Sequence, residues 1–381
     1  MEFGLTPDQK SFVDEVDAFC AAECRNIDIN DLEAKGADPE GIEQKLAARG
    51  WYGLPFPTEY GGAGMGYFHV GLLIERLVRG GYPYPGRLQI TTLNGLNVLK
   101  SGTHAQKKDL LTKIARGERT MSISVTEPNA GSDIASMQTR AEEQNGGYVI
   151  NGQKLYSSGA VGEKNIIMVA TRTDFSVKAH RGLTLFLVPS TSKGLQFNRL
   201  ESMGRNIGGL YEVFFDDVWV PKENILGEVN KGWTAMTGGF NAERAIVSAG
   251  YLGFAERIFN DALKIAASRF GLGTAAEQRG AVMCRLAEYA TEIQAAKLLI
   301  YQALGLADRH ELSIEAVCQC KVYTSELVKR LGDFCCEIAA GQGCLMDSLV
   351  QWYYRESRIV TVGGGSSQIM RNVAAAQLGL K

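Results

Sequence analysis

Two changes of hydrophobic period predict an α+β multidomain chain. Apolar residues recur at helical spacing over residues 1–118, alternate with period two through most of 119–230, and return to helical spacing over 231–381. The three blocks read as an N-terminal α-helical domain, a middle β-barrel or sandwich domain and a C-terminal four-helix bundle. At 381 residues the chain is too long for one ordinary core. No internal repeat, low-complexity tract or flexible linker breaks the order.

In the first block Thr6-Pro7-Asp8-Gln9 is a capping box with Pro at the first helical position, and Phe12, Val13, Val16, Phe19 and Cys20 follow at helical spacing. Asp38-Pro39 opens another helix, which Gly50 closes. Thr103 with Gln106 repeats the capping box ahead of "KKDLLTKIA". In the middle block "MSISVTE", "GYVINGQKLYSS", "NIIMVATRT", "LTLFLVPS" and "EVFFDDVWV" are rich in β-branched and aromatic residues, and Asn145-Gly146-Gly147 is a hairpin signal. Long helices are expected at about 241–269, 275–307 and 313–339, with shorter ones near 347–357 and 366–378. On the second of these, Val282, Leu286, Ala290, Ile293 and Ala296 form one stripe, as antiparallel bundle packing requires.

Composition narrows the partners. The formal net charge is −2, and no basic run is long enough to follow a phosphate backbone, which argues against nucleic acid. The opening residues "MEFGLTPDQKSFVDEV" have no basic region ahead of an apolar core, and no segment approaches the ~20 apolar residues that cross a bilayer. The expectation is a cytoplasmic protein with no membrane insertion. Eight cysteines form no CxxC, and Cys318 and Cys320 point to different faces of one helix, so reduced buried thiols are expected and no metal. His69, His104, His180 and His310 show no partner pattern.

The stretch "SVTEPNAGSD" (Ser124 to Asp133) joins a strand to a turn and offers hydroxyls and main-chain amides at Thr126, Gly131 and Ser132. Its chemistry suits polar ring edges or phosphate oxygens; it also suits an ordinary Gly/Pro turn. The stretch resembles the TEPxAGSD signature of acyl-CoA dehydrogenases. "GLPFPTEYGGAGMG", "GQKLYSSGA", "FFDDVWVPKENILG" and the Glu243-Arg244 pair opening a long helix are similar to further segments of that family, in the same order along the whole chain.

The resemblance implies the acyl-CoA dehydrogenase fold, with FAD bound between the β domain and the bundle. It also implies a homo-oligomer, a dimer or commonly a homotetramer, in which a neighbouring subunit completes the cofactor site. The family's substrates are acyl thioesters of fatty acid metabolism, and its electron acceptor is an electron-transfer flavoprotein or a similar carrier. By the same resemblance Ile123, Val125, Thr126, Gly131 and Ser132 would bind the cofactor, with Ser132 also near the acyl-CoA. Tyr156 stands where the family has Trp and would pack on the flavin ring, and Ser158 replaces Thr beside flavin N5. Phe270 and Gln278 stand at family spacing for the adenosine half, with Arg269 the substitute for an Arg that is Ala267 here. The family's QxxGGxG is present as "EIAAGQG", placing Glu337 for Gln, Ala340 for the first Gly, and Gly341 at a matching position. Ser366 and Gln368 complete the implied cofactor set.

Acyl thioester dehydrogenation needs a carboxylate to take the α proton and donors for the enolate oxygen. In many members of the family the base lies in the loop that is "TVGGGSS" here, at the position of Gly364. A subset supplies it from the start of the long helix, where this chain has Glu243 in "GGFNAERAIVSAG". Glu243 is therefore the expected base and the Gly364 amide the expected oxyanion donor, with Asn241, Arg244, Ser132 and Gly365 lining the substrate. Ala245, Ala249, Gly250 and Gly253 on the same helix would let the flavin or thioester approach closely. A P-loop reading of the glycines fails because no Lys-Ser/Thr follows them. The expected activity is α,β-dehydrogenation of an acyl-CoA. The alternatives are enoyl-CoA reduction, dehydrogenation of an acyl-carrier-protein substrate, an oxygen-using relative, or a half-site subunit of a heterotetramer.

Overall fold

The computed structural model describes residues 4–83, 86–270 and 275–380, apart from the side chains at 40, 237–240 and 276–278. The chain begins with α1 (Pro7–Glu23), α2 (Ile29–Lys35), α3 (Glu40–Ala48), α4 (Tyr67–Arg79) and α5 (Arg87–Ser101). The short pieces α6 (His104–Gln106) and α7 (Thr112–Ala115) follow, joined by a π-helical turn over Lys107–Leu111. Both capping boxes form: Thr6 and Thr103 each accept the third amide of their helix and donate their own to Gln9 or Gln106.

Eight strands come next: β1 (Thr120–Ser124), β2 (Arg140–Gln144), β3 (Gly147–Ser158), β4 (Asn165–Arg172), β5 (Leu183–Pro189), β6 (Leu195–Arg199), β7 (Leu210–Pro221) and β8 (Ile225–Leu226). They form one mixed sheet in the order β6-β7-β3-β2-β4-β5-β8, with β1 parallel to β4 off that path. Ile150, Ile167, Val169, Phe186, Val188, Val213 and Val218 fill its core without exposed surface. β2 and β6 are mostly exposed and polar, which is why no hydrophobic alternation announces them. β1 stops at Ser124 instead of running on to Glu127, because the Glu127 main chain pairs with Ala130 across a tight turn and not with β4.

The remaining helices are α8 (Gly232–Arg269), α9 (Ala276–Asp308), α10 (Ile314–Ala339), α11 (Leu349–Ile359) and α12 (Ser367–Gln377). α8 starts well before residue 241, through Gly238 and Gly239, whose weak helix propensity argues for a later start. The chain packs as two compact units, Met1–Ala34 with Gly66–Tyr84 and Asn241–Lys381, and Lys35–Met65 with Pro85–Phe240. In the first, Gly253 of α8 lies against α4 so closely that a Cβ there would collide with the Glu75 carbonyl. Glu75 is wholly buried and accepts a hydrogen bond from the Tyr301 hydroxyl at 3.0 Å, while Lys297 pairs with it at 3.3 Å, tying α4 to α9. Among the described residues no helix is long and apolar enough to cross a membrane, and no cluster of His, Cys, Asp or Glu could hold a metal ion.

Candidate active site

The turn after β1 is held by a buried ion pair. Lys154 Nζ, without exposed surface, lies 2.8 Å from Glu127 Oε1 and donates to the Val125 carbonyl at 3.1 Å. Glu127 also accepts the amides of Gln138 at 2.6 Å and Thr139 at 2.9 Å. Burial lowers Lys154 to about 8 against the opposing pull of Glu127. Burial raises the Glu127 carboxyl, but Lys154 and the hydrogen bonds from Gln138 and Thr139 outweigh it and hold Glu127 below the usual carboxylate range. The Leu155 amide donates to the Thr126 carbonyl at 2.8 Å. Ile123, Val125 and Thr126 are consequently half-buried and fixed, while Gly131 and Ser132 are exposed at the turn's far end.

Tyr156 stands at the register shift where β3 bulges against β7. Its φ is +60°, a costly conformation for an aromatic residue, and its side chain is 60% exposed. A strained aromatic held face-out on a rigid strand fits a planar ring system. Beneath it the Ser157 and Ser124 hydroxyls share a buried hydrogen bond of 2.7 Å, joining β3 to β1. Ser158 is half-buried and precedes Gly159, whose carbonyl accepts Arg87 Nη1 at 2.5 Å. Arg87 is in turn paired with Asp38 at 2.7 Å. Lys154, Glu127, Arg87 and Asp38 are absent from the sequence-derived set. Glu127 and Lys154 lie inside motif segments, which is their one signal in the sequence; Arg87 and Asp38 lie outside them and have none.

In the helical unit the start of α8 meets the glycine loop. Arg244 Nε donates to the Gly364 carbonyl at 3.2 Å, and Arg244 Nη1 donates to Asn241 Oδ1 at 3.2 Å. Glu243 is half-buried; burial pushes its carboxyl up to about 7, with Arg244 pulling it the other way. Gly364 and Gly365 adopt φ +67° and +94°, and open space surrounds the position a Gly364 Cβ would take. Arg244 thus joins Asn241 to Gly364 and Gly365, about 120 residues away in sequence, with Glu243 the residue before it on the helix. Gly253 does not serve ligand approach, since α4 occupies the space it leaves. Ala245 and Ala249 are likewise wholly buried.

A cavity of about 550 Å³ between the end of α8, α9 and α10 is lined by Phe270, Arg285, Tyr289, Arg330, Asp333 and Glu337, among others. It brings Phe270 and Glu337 together. Glu337 is exposed, and the exposed Arg269 lies 6.0 Å from the Phe270 ring. Gly341 lies in the turn Ala340–Cys344, where Ala340 takes φ +52° and ψ −140°, a conformation suited to glycine. The Gln278 side chain lies outside those described. Ser366 caps α12, accepting the Ile369 amide at 3.2 Å, and Gln368 is exposed on its first turn. Within the sheet unit, the exposed Tyr156 and the hydroxyls of the turn after β1 suit a flavin ring; within the helical unit, the two arginines and the aromatic residues of the cavity suit a nucleotide phosphate and base.

Three family models match the chain: the acyl-CoA dehydrogenase N-terminal domain over residues 6–118, the middle domain over 122–218 and the C-terminal domain over 230–379. The 3-(aryl)acrylate reductase of Clostridium sporogenes is 32% identical over 342 residues, 89% of this chain and 90% of that one. The caffeyl-CoA reductase-Etf complex subunit CarC of Acetobacterium woodii is 30% identical over 362 residues, 94% of this chain and 95% of that one. Among solved structures, a glutaryl-coenzyme A dehydrogenase in complex with glutaryl-CoA superposes with a TM-score of 0.93 at 27% identity, covering 100% of this chain and 98% of that one.

Proposed function

Because the chain belongs to the acyl-CoA dehydrogenase family, we propose that it is an FAD-dependent enzyme that removes hydrogen across the α,β bond of an acyl-CoA, with Glu243 as the base. The observation that carries this reading is the hydrogen bond by which Arg244, the residue after Glu243, joins the start of α8 to the glycine loop, beside a Glu243 carboxyl that burial pushes up to about 7. A carboxylate near its ordinary pKa is too weak a base for an α proton; one raised by burial is stronger and remains ionised above neutrality. Gly364 has no side chain to obstruct the thioester, and its amide would bind the thioester oxygen, a contact worth about 3 kcal/mol of barrier in comparable sites. FAD, when bound, supplies the two-electron oxidant for the hydrogen leaving the β carbon.

The roles assigned to the other residues are part of this proposal. Val125 and Thr126 would meet the polar edge of the flavin, Tyr156 its face and Ser158 its N5. Phe270, Arg269 and Glu337 would meet the adenosine half. The cytoplasmic location, the homo-oligomer, the flavoprotein acceptor and the place in fatty acid metabolism also belong to it. A relative named as a subunit of a reductase-Etf complex supports the choice of acceptor.

The test is anaerobic titration of the flavin-loaded protein with a panel of acyl-CoA thioesters. Glu243→Gln is expected to bind FAD and acyl-CoA normally yet lower the rate of flavin reduction by about 10³-fold. Normal bleaching in that variant removes Glu243 from the mechanism.

A second reading, enoyl-CoA reduction, is favoured by two relatives, one named 3-(aryl)acrylate reductase and one named as a subunit of a caffeyl-CoA reductase-Etf complex. The same residues serve it, because a protonated Glu243 can return the α proton, and a group titrating near 7 is available in both forms. Dithionite-reduced protein mixed anaerobically with an aryl-acrylyl-CoA separates the two. Faster reoxidation by that ester than reduction by its saturated partner marks a reductase.

A further inference from the structure

Lys321 is a buried cation that the reading above leaves without a role. It sits on α10 with no exposed surface, and its Nζ donates to the main-chain carbonyl of Val360 at 3.0 Å. Val360 is itself fully buried and caps the C-terminal end of α11; the next five residues lead through Gly364 to Gly365. The Tyr251 ring of α8 lies 5.7 Å from the ammonium. Four residues further along the same face of α10, the Ser325 hydroxyl stands 3.4 Å from the Ser367 hydroxyl, at the far end of the loop. The Ser367 amide donates to the Thr361 carbonyl at 2.9 Å, so the two ends of the loop are closed on each other.

A fully buried ammonium is costly to desolvate, and an apolar side chain would fill the same volume more cheaply. What the ammonium adds is a charge-assisted donor at one particular carbonyl. The Ile359 carbonyl is already satisfied by the amides of Val362 at 2.8 Å and Gly363 at 3.1 Å. The Val360 carbonyl instead receives Lys321, and its orientation sets the direction in which the chain leaves α11. At its tip the loop offers no side chain for packing: Gly364 and Gly365 carry none, and nothing lies within 4 Å of the Cβ position at Gly364, so its direction depends on main-chain ties.

We propose that Lys321 is a positioning residue, which together with Ser325 cradles the glycine loop on one face of α10 so that the Gly364 N–H keeps a fixed direction toward the thioester oxygen. The assignment rests on the reading of Gly364 as the oxyanion donor. Arg244 grips the Gly364 carbonyl from α8, so the peptide on the carbonyl side of Gly364 is tied by one cation and the loop's entry by another.

The test uses the flavin-loaded full chain and two variants. Lys321→Met keeps the bulk and removes the charge and donor; Ser325→Ala removes the tie at the other end. For Lys321→Met, amide hydrogen exchange in residues 360–366 is expected to accelerate about tenfold or more, with α9 unaffected. Flavin reduction at saturating acyl-CoA should fall about tenfold, with KM changed less than about threefold. Unchanged exchange in the loop overturns the proposal. So does faster exchange with a parental reduction rate, and so does a rate loss that vanishes once flavin content is corrected for. If Lys321→Met does not fold, Ser325→Ala decides, with the same paired signature at about threefold supporting the proposal and parental values overturning it. A parent protein whose flavin responds to no acyl- or enoyl-CoA defeats the thioester reading instead, and is recognised before any variant is made.

Discussion

At the scale of single residues, the proposed base Glu243 would set the pH behaviour. The base must be ionised, so flavin reduction should rise with pH through about 7 and level off above it, and Glu243→Gln should lack that limb. Stability moves in the opposite sense. The folded chain holds the Glu243 proton up to about 7, while the unfolded chain releases it near the ordinary carboxyl value of 4.5. Ionisation of this group therefore costs folding free energy that is absent below 4.5, grows between the two values and is constant above about 7. Since Glu243 is only half-buried, the cost is on the order of 1–2 kcal/mol. Urea unfolding should find Glu243→Gln more stable than its parent by that amount at about pH 8 and equal to it at about pH 4. The motifs single out this residue, and Tyr156, as candidates. They do not yield the φ of +60° at Tyr156, which the bulge against β7 imposes from outside the local chain.

At the scale of elements, the turn Val125–Ser132 shows why a motif can be read without its support. Glu127 looks like one more polar residue of the signature, yet its carboxylate faces inward to Lys154 and to two amides of the segment before β2. That pairing links positions 27 residues apart, beyond the reach of helical or strand periodicity. Lys154→Met should strand the Glu127 carboxylate in a site only 7% exposed and destabilise the β unit by about 3–5 kcal/mol. Glu127→Gln should cost less, because Lys154, already lowered to about 8, can shed its proton when its partner is gone. Urea denaturation followed by tryptophan fluorescence checks the ranking, and equal costs would contradict it. The small residues of α8 teach the converse lesson. Spacing identifies a stripe of low volume but not what fills it, and at Gly253 the occupant is the backbone of α4.

At the scale of the whole molecule, the change of period locates the sheet and the long helices. Which helices share a core is a different matter, since an amphipathic stripe says that a face is buried without saying against what. Residues 1–118, one helical block by pattern, are divided, with α1 and α4 in the unit of the C-terminal helices and α3 and α5–α7 in the unit of the sheet. The cavity of α8, α9 and α10 gathers residues that pattern reading treats as scattered, and its charges lead to the last expectation. Arg285 and Arg330 supply two cations, against the carboxylates of Asp333 and Glu337. A dinucleotide diphosphate bound nearby is attracted by the first pair and repelled by the second. Glu337→Gln should then tighten FAD about threefold at low salt, with the gain shrinking as ionic strength rises. If Glu337 instead accepts hydrogen bonds from the ribose hydroxyls, the same change weakens FAD at every salt concentration. Equilibrium dialysis with flavin absorbance distinguishes the two signs, and its end point gives the flavin stoichiometry. One FAD per chain fits an assembly of identical complete sites. One for every two chains would mean that the strained Ala340 and the Gly341 turn leave half of the sites incomplete.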